Sequence, residues 1–235
     1  HSKSDRVFNS YFATFGYSFA DKYFVDGSFR RDGSSLFAEN HRWGNFWSAG
    51  AMWDITKERF MKDVKWMNKL QLKASYGSVG NSSGLSPYMA MGLVGTGPLY
   101  NGVGGTAVAN PANPDLTWEV VKSTNIAINT RMFNRVNLDV ELYNRDTEDM
   151  LMDIPYSYTT GFSGGWGNVA SMRNKGVDVT ANFEILQDFH DIDWNISANL
   201  NYNENEITSL FNGMDEYVLA NTGLKLQVGK PYGEY

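Results

Sequence analysis

The chain has 235 residues, a formal net charge of −6 and no cysteine. The negative charge argues against a nucleic-acid partner, and the absence of cysteine excludes both a disulfide framework and cysteine-ligated zinc. Aromatic residues make up 14% of the chain, which also contains 23 glycines. Strand-forming aromatic residues combined with turn-forming glycine predict an all-β protein.

Eight segments of the chain alternate apolar and polar residues with a period of two, which predicts β-strands. In chain order they cover residues 11–19, 23–30, 46–54, 70–76, 125–131, 136–144, 177–185 and 192–202. A weaker segment, 150–158, is interrupted by Pro155. We therefore expect about nine or ten antiparallel strands in this chain.

The connections between these segments alternate between short and long. The short ones are 20–22, 133–135 and 187–191, and the long ones are 32–43, 77–117 and 145–173. Outer-membrane β-barrels show this asymmetry, with short turns at one end and long loops at the other. The glycine-rich residues 92–105 lack the lysine of a phosphate-binding loop, so they predict a flexible loop.

One connection, 55–69, is intermediate in length. Its residues Phe60, Val64 and Met67 have helical spacing, and Thr56 stands where a helix would begin. A threonine side chain can accept a hydrogen bond from the first turn of a helix. The segment therefore predicts one short helix.

The segment VNLDVELYN, residues 136–144, shows why the pattern admits two architectures. Its apolar face can point into the core of a soluble β-sandwich, or outward into lipid from a transmembrane barrel. A nine-residue strand is about 30 Å long, and a tilt of about 40° makes it span about 23 Å. This matches the apolar band of an outer-membrane barrel, about 25 Å, and is longer than a typical sandwich strand.

Tryptophan and tyrosine near strand ends also favour the barrel, because such rings collect at membrane interfaces. These residues are Trp53, Tyr76, Tyr143, Trp194 and Tyr202.

Several segments resemble the SusC/RagA family of TonB-linked outer-membrane transporters. The most specific one, residues 29–81, contains FRRDGSSLFAENHRWGNFWSAGAMW and ends in LQLKASYGSVGN. The resemblance continues in NPDLTWEVVKSTNIAI, LYNRDTEDMLM, TGFSG, NVASMRNKGVDVT and VGKPYGEY, in order along the chain. Leu36 departs from the arginine that is common in the family.

This resemblance implies a transmembrane β-barrel that is incomplete here, because such barrels have about 22 strands. We expect residues 1–235 to be part of the barrel of a TonB-dependent receptor, with the plug domain and the C-terminal strands absent. The resemblance also implies active import of a large nutrient, usually a glycan and sometimes a peptide. The implied location is the outer membrane of a Gram-negative, Bacteroidetes-like cell.

The partners implied by the resemblance are a SusD-like surface lipoprotein, outer-membrane lipid, and the TonB complex acting through the plug. We expect a transporter and not an enzyme, with no cofactor, no catalytic residue and no metal site, because the three histidines are isolated. Two alternatives remain open at this point. They are a passive outer-membrane porin and a soluble carbohydrate-binding β-sandwich.

Aromatic residues in the predicted extracellular loops are the candidate substrate-binding residues, because sugars stack on flat apolar rings. They are Trp43, Tyr88, Tyr100, Tyr158, Phe162 and Trp166. The alternative role is packing of one loop against another or against a partner. Carboxylate pairs such as Asp139 with Glu141 have a spacing that an acid pair could use, but a wet lumen also requires polar residues there.

Overall fold

The computed structural model describes residues 5–100, 102–162, 164–189, 192–219 and 223–233. Twelve strands are found in this part of the chain. They are β1 (Phe8–Phe19), β2 (Tyr23–Ser34), β3 (Trp43–Asp54), β4 (Met67–Asn81), β5 (Leu93–Tyr100), β6 (Val103–Asn110), β7 (Glu119–Met132), β8 (Val136–Pro155), β9 (Gly164–Phe189), β10 (Ile192–Ser209), β11 (Glu216–Val218) and β12 (Lys225–Gln227).

Eight of these strands form one sheet in the order β1-β2-β3-β4-β7-β8-β9-β10. Every neighbouring pair is antiparallel. The hairpin β5-β6 lies in the connection between β4 and β7, and β11-β12 is a second small hairpin. The sheet is not closed, because β1 and β10 each pair along one side only in the described structure. The prediction of an incomplete antiparallel all-β sheet is confirmed.

The register of the sheet sorts side chains into two faces. Val140 lies between Ile128 and Val179, and this row is apolar or aromatic across all eight strands. Its members are Phe19, Tyr23, Trp53, Leu72, Ile128, Val140, Val179 and Leu200. We call this side the apolar face, and the opposite side, which carries Lys73, Asp139 and Glu141, the polar face.

Grooves of the sheet open on its polar face. A groove of about 570 Å³ is lined by Arg131, Asn137 and Asn195, among others. A second, of about 440 Å³, is lined by Asp26 and Lys73 together with further polar-face residues. In a transmembrane barrel, the polar face of such a sheet would line the lumen and the apolar face would meet lipid.

The connections of the eight-stranded sheet alternate between its two ends but not strictly between short and long, because 35–42 and 156–163 have eight residues each and 55–66 has twelve. Residues 20–22, 55–66 and 133–135 join strands at one end, which we call the turn end. Residues 35–42, 82–118 and 156–163 join them at the other, which we call the loop end.

Buried apolar residues lie at the loop end. The mouth cluster consists of Leu36, Phe37, Phe46, Leu85, Ala90, Leu116 and Trp118. The hairpin cluster consists of Ala170, Ile207, Leu210 and Leu226. Because the band of strand residues below these clusters has no buried apolar member among the described residues, the wall of the sheet has no core of its own.

The predicted helix at 56–69 is wrong. The connection contains two short 3-10 turns, Ile55–Lys57 and Arg59–Met61, and Met67 already belongs to β4. The Thr56 hydroxyl accepts a hydrogen bond from the Leu70 backbone N–H at 2.5 Å, so it holds the connection to β4 and caps no helix. No helix among the described residues is long and apolar enough to cross a membrane.

Two predicted loops are also wrong. Most of residues 92–105 belong to the β5-β6 hairpin, and most of 145–173 belongs to extensions of β8 and β9 beyond the predicted ends. The weak strand predicted at 150–158 is the last part of β8, which continues to Pro155 after a register shift near Met150.

Candidate functional site

The apolar face carries large side chains that the chain itself leaves exposed. Phe15 is 65% exposed, Leu142 is 54% exposed and Leu200 is 63% exposed. In the described structure no second sheet covers this face. A continuous apolar surface that extends over eight strands requires an apolar environment, because single soluble chains rarely expose patches beyond a few hundred Å².

Aromatic rings border the apolar face near both ends of the strands. At the turn end, Tyr23 stacks between Phe19 and Trp53 with centroid distances of 6.5 and 6.3 Å. Toward the loop end, Trp47 lies 5.4 Å from Tyr76. Tyr143 differs from the other predicted border residues, because it lies on the polar face, where its hydroxyl is 3.0 Å from Asn203 Oδ1.

Beyond this border toward the loop end, the same face becomes charged. Lys122 pairs with Glu148 at 2.5 Å, Arg173 with Asp146 at 2.6 Å and Lys175 with Glu204 at 3.2 Å. The apolar face therefore has a band of limited height, as a membrane of defined thickness requires.

The polar face is connected by hydrogen bonds between strands. Asn129 donates to Asp139 at 2.5 Å, and Ser28 and Ser48 share a hydrogen bond of 2.7 Å. Asn201 donates to Asp178 on the neighbouring strand. Asp139 therefore has an amide partner on the polar face, which is the face that would line a wet lumen.

A third groove on the polar face, of about 430 Å³, lies directly beside the mouth cluster. Asp32 is 6% exposed, and Arg30 Nε donates to both of its oxygens at 2.6 Å. Arg6 donates to Ser82 at 3.2 Å, and the rings of Phe8 and Trp118 meet edge to face at 5.9 Å. The groove therefore combines charge, hydroxyl groups and aromatic edges, which suits a polar polymer.

The mouth cluster fixes the loops around this groove. Trp118 Nε1 donates to the Arg42 carbonyl at 3.2 Å, which joins the 35–42 loop to the start of β7. The Phe46 ring occupies space that Gly44 and Gly80 leave free, and a Cβ at Gly80 would overlap it. Because these contacts link the 35–42 and 82–118 connections, the loop end is prearranged by the chain itself.

The aromatic residues predicted to bind substrate lie in different environments. Trp43 is on the apolar face, stacked on Tyr11 at 6.0 Å. Trp166 packs against the mouth cluster, and Tyr88 is 44% exposed in the 82–118 connection. Phe162 is half-buried, with its N–H 3.3 Å from Thr160 Oγ1.

The side chains of Tyr100 and Tyr158 lie outside the described residues. Trp43 and Trp166 do not share a surface, so the six aromatic residues do not form one site. Contact of any of them with substrate remains a prediction.

The groove residues Arg30 and Asp32 were not predicted as site residues. Arg30 and Asp32 alternate with Phe29 and Arg31, which places them on the polar face. This alternation alone could have indicated that they face a lumen. Their ion pair joins residues two apart on one strand, but their position beside Trp118 depends on a tertiary contact that spacing does not encode. In the described part of the chain, no group of three or more acidic or histidine residues is placed to hold a metal ion.

At the turn end, Glu58 holds the 55–66 connection against the wall. It accepts hydrogen bonds from Tyr23 at 2.6 Å, Lys22 at 3.0 Å and Trp53 at 3.3 Å. These donors stabilise the carboxylate and lower the pKa of Glu58 to about 2, with the Tyr23 hydroxyl as the largest cause.

The antiparallel strand order and the exposed apolar band are typical of an outer-membrane β-barrel. A family model described as "TonB dependent receptor-like, beta-barrel" matches residues 2–231. The chain belongs to this family. The sheet of this TonB-dependent receptor chain is therefore barrel wall, and proteins of this family are β-barrels of the outer membrane.

Relatives of this receptor chain include "TonB-dependent receptor P39" of Formosa agariphila, which is 35% identical over 226 residues. The match covers 96% of this chain and 21% of that protein. "TonB-dependent receptor SusC" of Bacteroides thetaiotaomicron is 29% identical over 230 residues, covering 94% of this chain and 23% of SusC.

Among solved structures, that of the RagAB peptide transporter superposes with a TM-score of 0.89 and 38% identity. It matches 97% of this chain and 25% of the RagAB chain. The siderophore receptor PiuA from Acinetobacter baumannii has a TM-score of 0.60 at 15% identity, which shows the fold alone. The chain spans roughly a fifth to a quarter of the proteins it matches.

Proposed function

We propose that this chain forms part of the wall of an active outer-membrane transporter of the SusC type. The whole protein imports a large nutrient that exceeds the size of passively diffusing solutes. In this proposal residues 1–235 supply eight wall strands, their lumen-facing groups and loops at the mouth. The remaining strands and the plug come from other parts of the protein.

One observation carries the proposal. A single sheet has an exposed apolar band on one face and a hydrogen-bonded polar surface on the other. A soluble sandwich would cover the apolar face, so the exposed band argues against that alternative. A porin would share the band, but the family match supports a TonB-dependent protein.

The substrate class in this proposal is an oligosaccharide or a peptide. The SusC-like resemblance favours a glycan, whereas the RagAB structures, 38% identical to this chain, are described as a peptide importer. The groove beside the mouth cluster suits both classes, because the Arg30 guanidinium and serine hydroxyls can bind hydroxyl, amide or charged groups.

The proposed partners follow from the same comparison. A SusD-like surface lipoprotein would close the loop end, where the mouth cluster and the β5-β6 hairpin are situated. The TonB complex would supply energy through the plug from the turn end. The proposed location is the outer membrane of a Gram-negative, Bacteroidetes-like cell, with the loop end outside.

The test is uptake in cells that carry the whole gene. Fluorescent oligosaccharides and fluorescent peptides are offered to wild-type cells, to cells lacking the gene and to cells lacking TonB. We expect one substrate class to be taken up, and uptake to require both the gene and TonB. Uptake that needs the gene but persists without TonB would favour the porin instead.

Substrate choice has a simple independent indicator in the neighbouring genes. Genes for glycoside hydrolases beside this one would agree with a glycan, and peptidase genes would agree with a peptide. A matched variant pair then addresses the groove. We expect Arg30→Gln to reduce uptake, whereas Lys175→Gln, on the opposite face, should leave uptake unchanged.

A further inference from the structure

We propose that Tyr11, Arg31 and Trp43 form a binding site for the phosphate-bearing headgroup of an outer-leaflet lipid. The site lies on the apolar face of strands β1, β2 and β3, toward the loop end. This inference rests on the proposed function, which places the apolar face in the outer membrane.

The register puts these residues at headgroup depth. Tyr11 pairs with Arg31, one row beyond the row that contains Ala13, Phe29 and Trp47. Phe29 is 49% exposed and Trp47 is 48% exposed, and they form the last apolar row on these strands. The guanidinium of Arg31 therefore lies where the hydrocarbon ends and the lipid phosphates begin.

The Trp43 ring positions the guanidinium of Arg31. Its ring is 6.0 Å from that of Tyr11, with an interplanar angle of 27°, and the Arg31 Cζ is 5.3 Å from its centroid. Gly33 makes this arrangement possible, because a Cβ there would be 2.9 Å from the Trp43 ring. Stacking holds the guanidinium plane while its N–H groups stay available for hydrogen bonds.

Arg31 differs from the other cations of the apolar face because no carboxylate of the described residues neutralises its charge. Lys122, Arg173 and Lys175 each have a carboxylate within 3.2 Å. Arg31 has no carboxylate partner among the residues that the structure describes. Its guanidinium lies over the Trp43 ring instead. An unneutralised cation at a lipid interface complements an anion supplied by the lipid.

A phosphate is the anion that this geometry fits. The guanidinium fork binds phosphate oxygens through two parallel hydrogen bonds, which a lysine cannot reproduce. The Tyr11 and Trp43 rings suit the boundary between apolar chains and polar headgroups. Because Trp43 already contacts both Tyr11 and Arg31, a sugar that stacked on Trp43 would have to displace one of them.

The test uses the whole receptor in detergent, with diphosphoryl lipid A as the probe and native mass spectrometry as the readout. We expect wild type and the matched control Lys175→Gln to retain lipid A. Arg31→Gln should lower the retained fraction about tenfold, because charge-assisted hydrogen bonds are lost. Arg31→Lys should give an intermediate value, since it keeps the charge without the planar fork.

Folding is verified for each variant by heat-modifiable electrophoretic mobility. If Arg31→Gln does not fold, Trp43→Leu serves instead, since it removes the platform and leaves the cation. Equal retention of lipid A by the folded Arg31 or Trp43 variant would overturn the proposal. Displacement of lipid A by inorganic phosphate at equal concentration would also overturn it, because the site would then bind free phosphate.

A further control separates this inference from the proposed function. The receptor is mixed with phosphatidylcholine vesicles that contain no lipid A. Failure of wild type to enter these vesicles would contradict the membrane position of the apolar face. Normal entry with unchanged lipid A retention in Arg31→Gln would contradict the headgroup site alone. Loss of a bound protein partner in Arg31→Gln, with lipid A retained, would identify a protein interface and overturn the lipid site.

Discussion

At the scale of single residues, Val140 and Asp139 are adjacent in β8 but face opposite environments. Val140 lies between Ile128 and Val179 on the apolar face, whereas Asp139 accepts a hydrogen bond from Asn129 on the polar face. In the whole receptor, Val140→Arg should cost about 2–4 kcal/mol, because an arginine would face hydrocarbon near the membrane midplane.

Asp139→Asn is the matched control for Val140→Arg, because an asparagine can still accept the hydrogen bond from Asn129. We expect the control to change stability little. The measurement is equilibrium unfolding of the whole protein in lipid vesicles. Equal destabilisation by the two substitutions would show that Val140 does not face lipid.

Gly80 offers a second comparison between single residues. A Cβ at this position would overlap the Phe46 ring, which is 5% exposed in the mouth cluster. We expect Gly80→Ala to force Phe46 out of place and to cost about 1–3 kcal/mol, as overpacking does.

The control for Gly80→Ala is Gly16→Ala, because a Cβ at Gly16 would meet no atom within 4 Å. Hydrogen exchange of residues 35–42 and 82–118 is the direct measurement. Faster exchange in both loops is expected for Gly80→Ala only. If Gly16→Ala loosened the loops equally, close packing around Phe46 would not be the cause.

At the scale of elements, a strand was predicted well from the sequence where one of its faces meets lipid and the other meets water. Val136, Leu138 and Leu142 alternate with polar residues. The reason is that the apolar face of a barrel wall meets lipid, whereas its polar face meets water. Beyond the apolar band both faces are polar, as Asp146 and Arg173 on the outer side show. The period of two is lost there, so residues 145–149 of β8 and residues 164–176 of β9 were missed, and only a weak strand was predicted at 150–158.

Tertiary contacts explain the other errors at this scale. Phe60 has helical spacing from Val64, but it is 66% exposed and has no face of a helix to bury. Thr56 is held by Leu70, and Glu58 by Lys22, so the connection follows its partners in the wall. The side chains that lie beside Trp43 and Arg30 could not be read from the sequence, because they depend on register across strands.

The 55–66 connection leads to a prediction about pH. The pKa of Glu58 is about 2 when folded, below its ordinary value of 4.5, so the stabilisation is fully present above about pH 4.5. It is lost as the pH falls from there through about 2, because protonation removes an acceptor from Lys22 and Tyr23.

Protease sensitivity of this connection in the whole receptor measures the effect. We expect cleavage within residues 55–66 to rise as the pH falls from 5 toward 2.5, with an acid-tolerant protease. The variant Glu58→Leu, which has no acceptor for these donors, should be cleaved readily at every pH and should show little pH dependence. A wild-type connection that stays equally protected at low pH would exclude Glu58 as its main restraint.

At the scale of the whole molecule, the apolar band runs obliquely to the rows of paired residues. Tyr202 on β10 shares a row with Tyr17 on β1, through Ile126 and Leu142 between them. On β10 the face becomes charged just beyond Tyr202, at Glu204, whereas on β1 it stays apolar or aromatic as far as Tyr11. Strands tilted by about 35–45° to the barrel axis produce this shift, because a row of paired residues then changes depth from strand to strand.

The oblique course of the apolar band predicts the depth of individual residues in the membrane. Because this chain has no cysteine, a nitroxide label on a single introduced cysteine is unique within it. In the whole receptor in vesicles, labels at Tyr11 and Tyr202 should lie at similar depth near the outer interface. A label at Tyr17 should lie deeper, with more access to oxygen and less to a water-soluble nickel complex. If Tyr17 and Tyr202 instead had equal depth and Tyr11 lay in water, the strands would stand upright and the sheet would not have the tilt that closure into a barrel requires.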